Sequence, residues 1–203
     1  MTQSTQIRTQ TQLSYAQFLE RCSEDSWAEW VDGEVVVLTP ASDRHQDLSG
    51  FLAVILRLYA EIRQLGAVRS APFQMHLGEQ RRGREPDLLF IAQEHLERLQ
   101  PTYLEGPADL AVEIVSPESR LRDRGAKFAE YEAGGVREYW LLDPEEHRAD
   151  FYLLGDDGRY DRRKTEQGRY SSSVLTGLEL CLDWLWQQPL PPLLQVLKEL
   201  ELI

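Results

Sequence analysis

Glu113 sits inside the apolar run Leu110-Ala111-Val112-Glu113-Ile114-Val115. A run of this kind reads as a strand buried on both faces. A carboxylate there is costly to desolvate unless a cation offsets its charge. Upstream, Glu85-Pro86-Asp87 opens a second apolar run, Leu88-Leu89-Phe90-Ile91. Two carboxylates on neighbouring central strands suit a hard divalent cation, because Mg²⁺ takes oxygen ligands. The alternative is that each acid lies at a strand end and reaches water. Past Glu113, Asp123 and Lys127 lie four apart and share a helical face. They read either as an exposed ion pair worth about 0.3–0.5 kcal/mol or as part of a site. The second reading follows from position: the helix begins just after the Glu113 strand, across Ser116-Pro117, and open sheets build sites at their carboxyl edge. Lys127 lies about three turns in, so its stem must reach back.

The elements that must position these groups follow from periodicity. Ser14 caps a short helix over 14–21. Strands are expected over 27–31 and 34–38, joined by the hairpin turn Asp32-Gly33. Ser42 or Asp43 caps a helix running to about Gln64 and ended by Gly66. Its apolar stripe is Leu48, Phe51, Leu52, Ile55, Tyr59 and Ile62, with His45 one turn before Leu48. Strands follow over 68–70, 73–77, 87–91 and 110–115. A helix from Pro117 or Glu118 to Ala133 closes at Gly134-Gly135. A strand over 138–143 stops at Pro144, and 150–154, 160–163 and 170–175 form a terminal meander. Pro189 to Pro192 leads into a short amphipathic end. Tyr139, Trp140 and Trp184 read as core residues. The order implies an α/β fold in the α+β sense, a mixed sheet flanked by helices.

Composition bounds the function. The chain has 203 residues, 42% hydrophobic and 28% charged, which is enough for one domain with a full core. The polar stretch 1–12 reads as a flexible tail, and 13–203 as a single domain. No apolar run reaches a membrane span, so no membrane partner is expected. Stretch 1–12 lacks the apolar segment of a signal peptide. Cys22 and Cys181 are far apart, without metal-site spacing, and fit a reduced cytoplasm. A net charge of −12 argues against a general nucleic-acid coat but allows a local one. Three basic clusters could supply it, namely Arg81, Arg82 and Arg84; Arg120, Arg122, Arg124 and Lys127; and Arg162, Arg163 and Lys164. Each could equally be a solvated face.

Pro86-Asp87 followed by Glu113-Ile114-Val115 resembles the PD-(D/E)XK nuclease superfamily. The larger set resembles its branch of uncharacterised restriction-endonuclease-like proteins. That set is Val31-Asp32-Gly33-Glu34, His45, Glu85-Pro86-Asp87, Glu113-Ile114-Val115-Ser116-Pro117, Asp123-Arg124-Gly125-Ala126-Lys127, Tyr131, Gly134-Gly135-Val136 and Glu138-Tyr139-Trp140-Leu141-Leu142-Asp143-Pro144. The ordered set spans about residues 14 to 185. The resemblance implies a restriction-endonuclease-like core with extra strands on its N- and C-terminal sides, and Asp87 and Glu113 as Mg²⁺ ligands, with Mn²⁺ able to substitute. The lysine that the superfamily places two residues past the glutamate is Val115 here, which makes Lys127 the candidate, within roughly 4–6 Å of the carboxylates. Glu34, His45 and Asp123 are the supporting residues.

The expected activity is Mg²⁺-dependent endonucleolytic hydrolysis of nucleic acid, DNA first. Arg84, Arg122 and Arg124 would hold the flanking backbone. A homodimer is the expected assembly. Two other readings stand beside this one: a nuclease-fold binding or oligomeric module without catalysis, and a metal-dependent hydrolase of a small phosphorylated substrate.

Overall fold

The computed structural model describes residues 12–21, 27–37, 40–117 and 119–203. Cys22, Leu38, Glu118 and most of the expected N-terminal tail lie outside them. Helix α1, Tyr15–Arg21, precedes the hairpin of β1, Ala28–Val31, and β2, Glu34–Val37. Asp32 and Gly33 both have positive φ, 52° and 91°, as the primed turn requires, and Val31 pairs with Glu34.

Helix α2, Asp43–Ile62, starts at Ser42, whose Oγ accepts from the His45 N–H. Its stripe is buried as expected except at Ile62, which is half exposed at the final turn. The strands β3, Gly66–Ser70, β6, Leu88–Ala92, β8, Leu110–Ile114, β9, Glu138–Asp143, β10, Arg148–Leu154, and β11, Tyr160–Arg163, form the main sheet. Its order is β11-β10-β9-β8-β6-β3. Only β8 and β9 run parallel, so the sheet is mixed. A second sheet, β2-β1-β5-β4-β7, adds β4, Gln74–Leu77, β5, Arg82–Arg84, and β7, Tyr103–Glu105.

The main sheet is buried on both faces because its central strands are apolar at every position but a few. Leu88, Phe90, Val112, Ile114, Trp140 and Leu142 pack with α2 in one core. Leu89, Ile91, Ala111, Val115, Tyr139 and Leu141 pack in another with Met75 and Leu77 of β4 and with Tyr131. Tyr131 belongs to α3, Phe128–Gly134, which ends at Gly135 in the left-handed conformation. Tyr139, Trp140 and Trp184 are core residues as expected.

Two expectations are corrected. The segment after β8 is not one α-helix. Residues 122–127 form a π-helix, which passes into α3. The wider i→i+5 ladder holds an extra residue per turn and brings Asp123 and Lys127 together on the inner face, both buried. The third strand of the expected meander is also different. β12, Arg169–Ser171, leaves the main sheet and pairs with β13, Glu179–Cys181. Buried Glu138 directs this turn, accepting from Trp140 Nε1, Tyr170 Oη, Ser172 Oγ and the backbone of Ser173 and Val174. The chain closes with α4, Leu182–Trp186, and α5, Leu193–Glu199, whose Val196 and Leu197 join the α2 core. No helix among the described residues is long and apolar enough to cross a membrane.

Candidate active site

β6 and β8 are antiparallel neighbours, with Leu88 opposite Val112. One step further along the row, Asp87 stands opposite Glu113, so the two candidate ligands meet at one edge of the sheet. Asp87 Oδ2 accepts from the Ile114 N–H at 2.6 Å, and its Oδ1 lies 3.3 Å from His45 Nε2. Helix α2 therefore delivers His45 to the same edge. Burial opposes a charge on His45, but the Asp87 carboxylate outweighs it and the pKa is raised.

Lys127 reaches back as its position requires. Its Nζ donates to Glu113 Oε1 at 2.7 Å and lies 3.2 Å from Glu29 Oε1 and 3.8 Å from Asp123 Oδ1. The Tyr131 hydroxyl donates to the same Glu113 oxygen at 2.7 Å. Oε1 is thus held twice, while Oε2 takes no hydrogen bond among the described residues. Burial pushes the Glu113 carboxyl up to about 8, with Lys127 opposing and Asp123 and Asp87 adding to the shift. Burial works against the Lys127 ammonium, but the carboxylates of Glu113, Glu29 and Asp123 raise its pKa.

Glu29 is the functional residue that sequence reasoning missed. It is fully buried on β1 and accepts from Arg84 Nη1 at 2.7 Å and from the Glu85 N–H at 3.2 Å. Burial opposes its charge, yet Lys127 and Arg84 bring its pKa down to about 2. The hairpin acid that meets Lys127 is therefore Glu29, whereas Glu34 sits beside the turn, opposite Val31. A signal was present: Ala28 and Trp30 form the apolar face of a short strand, and an acid between them must enter the opposite side. Glu85, quoted only as part of a motif, is also buried, and burial and Glu29 push its carboxyl up to about 7.

The arginines divide. Arg84 is 4% exposed, and its guanidinium is taken by Glu29 and Glu130. It braces the site from inside and is not placed to hold a flanking backbone, because it is buried with carboxylates on both sides of its fork. Arg124 bonds Asp150 at 2.6 Å and lies 3.5 Å from Asp143. Arg122 stays partly exposed beside Asp123, at 3.7 Å, and its buried Nε has no hydrogen-bond partner.

The residues fit a cation. Glu29, Glu85, Asp87, Glu113 and Asp123 converge against Lys127, Arg84 and Arg122, and burial holds Glu85 and Glu113 toward the neutral form, a cost that a bound cation would offset. Asp123 Oδ1 is buried without a hydrogen bond. Among the described residues no three His, Cys, Asp or Glu side chains stand at metal-holding spacing. The chain would thus supply a carboxylate pair and leave the remaining positions to water and phosphate, the usual arrangement for Mg²⁺.

Residues 15–184 match the model of the Uma2 family, described as "Putative restriction endonuclease". No curated protein matches the chain. A solved structure described as "a putative nuclease belonging to DUF820 from Anabaena variabilis" has the same fold, with a TM-score of 0.70 at 14% identity, over 84% of this chain and 96% of that one.

Proposed function

The chain belongs to the Uma2 family of restriction-endonuclease-like proteins, and from that we propose that it is a Mg²⁺-dependent endonuclease acting on DNA. In this reading Asp87 and Glu113 are the metal ligands, with Mn²⁺ able to replace Mg²⁺. A bound Mg²⁺ would polarise the scissile phosphate and acidify a water. The chain's own residues do the rest. Tyr131 and Lys127 fix Glu113 through Oε1 and leave Oε2 for the metal. The Ile114 N–H and His45 fix Asp87. Lys127, held between Glu113 and Glu29, is an ammonium placed to orient the attacking water and offset charge on the phosphoryl oxygens. Arg122, whose side chain stays partly exposed, would hold the neighbouring phosphate.

The observation that carries this reading is the 2.7 Å contact between Lys127 and Glu113. It restores, from a helix, the cation that Val115 cannot supply from the strand. Incubating supercoiled plasmid with the protein and Mg²⁺ or Mn²⁺ tests it. Nicking by wild type and none by Glu113→Gln or Lys127→Met is the expected result. Intact plasmid in every lane would overturn it. One observation favours a nuclease-fold module without catalysis: the Lys127 and Glu113 side chains are only 3% and 5% exposed, so a phosphate must be admitted by an opening of the site. The same assay separates the two.

A further inference from the structure

Arg162, Arg163 and Lys164 lie outside the site just described. They sit on and just past β11, the outermost strand of the main sheet, and all three are exposed. Beneath them Asp150 is fully buried and gathers three guanidinium groups, Arg124 at 2.6 Å, Arg148 at 2.8 Å and Arg162 at 2.5 Å. Arg163 and Lys164 make no ion pair among the described residues. Ala149, Arg162, Arg163, Lys164 and Thr165 line a groove of about 390 Å³. Arg162 is shared with Asp150, while Arg163 and Lys164 add two exposed positive charges to a chain whose net charge is −12. A polyanion repelled by the rest of the surface is drawn to such a patch.

The sheet ties this patch to the site. Glu113 stands opposite Leu141, and Leu141 opposite Asp150, so Asp150 lies two strands from Glu113 along one row. β11 is one strand further: Arg163 stands opposite Phe151 and so lies on the α2 side, and the row of Asp150 continues to Lys164, on the Glu113 side. At about 4.8 Å per strand the basic edge is about 14 Å from Glu113, near enough for one nucleic acid to reach both.

We propose that the β11 edge, through Arg163 and Lys164 with Arg162, is a phosphate-backbone binding site for the nucleic acid that the candidate active site takes. Asp150 holds Arg162, which lines the groove. Arg163 and Lys164 are free to meet phosphate oxygens, without reading sequence. The inference rests on the nuclease reading for its choice of polyanion, but it concerns binding and not cleavage.

The test is binding of fluorescently labelled duplex in EDTA across a salt series, for wild type and for Arg163→Gln/Lys164→Gln. Each lost phosphate contact lowers the slope of log K against log salt by about 0.9. The double variant should therefore lose about 1.8 from the slope and bind a long duplex several-fold more weakly. The melting temperature should not move, since both side chains are exposed. An unchanged slope overturns the proposal, as does a wild-type protein that binds no duplex. A polyglutamate of equal charge bound as tightly as the duplex overturns nucleic acid as the occupant. Plasmid cleavage with an unchanged slope would sink this inference and leave the nuclease reading standing. A changed slope without cleavage would do the reverse.

Discussion

Lys127 Nζ lies 2.7 Å from Glu113 Oε1, and both groups are buried. The π-helical turn makes this contact possible by facing Lys127 inward. Lys127→Met removes the charge and leaves both candidate ligands. Cleavage should fall by at least about 100-fold, the loss typical of one electrostatic contact to the reacting group, while calorimetric titration still detects Mn²⁺. A variant that cleaves normally would show that Lys127 is structural. The assay belongs well below the melting temperature, since breaking a buried pair costs about 3–5 kcal/mol.

Glu113→Gln keeps the shape and removes the charge that a cation uses. Wild type at 100-fold Kd of Mg²⁺ should gain about 2.7 kcal/mol, a rise in melting temperature of about 5–10 °C for a domain of this size. The variant should gain nothing. Equal shifts in the two proteins would remove Glu113 from the ligand set.

Asp150 gives a pH dependence away from the candidate metal ligands. Burial opposes its ionisation, but the bonds from Arg124 and Arg148 and the charges of Arg148 and Arg162 outweigh it, so its pKa is lowered. A depressed carboxyl stabilises the fold above its unfolded value of about 3.9, and that stability is lost as pH falls through the folded value. Asp150→Asn should cost about 2 kcal/mol at neutral pH, measured by denaturant unfolding. The gap to wild type should narrow as pH falls below about 3.9. A gap that stays constant down to acid unfolding would mean that the charge of Asp150 contributes nothing.

Glu138 accepts from Trp140, Tyr170, Ser172, Ser173 and Val174. Glu138→Ala leaves these five donors without an acceptor, all in buried or part-buried positions. The expected cost is about 3 kcal/mol or more, a fall of about 6–12 °C by calorimetry. A fall under about 2 °C would show that water replaces the carboxylate.

What the sequence determined on its own is local. The apolar runs around Asp87 and Glu113 defined β6 and β8 and marked both acids as anomalous. The period of α2, the Asp32-Gly33 turn and the stop at Gly134-Gly135 are written in neighbouring residues, because propensity and side-chain period act over a few positions. Pattern and position left the place of Lys127 between two readings and the resemblance chose one, since an i,i+4 pair with Asp123 looks the same exposed or buried. Only the tertiary structure decided the rest. Glu29 enters the site because β1 pairs with β5 beside Arg84, a neighbourhood that no local pattern contains. Arg84 is buried and Arg163 exposed, although both stand in similar basic clusters. The difference is which carboxylates fold back onto each. Burial and charge pairing are sums over distant parts of the chain, so the identity of the acids was legible early, and their partners only in the fold.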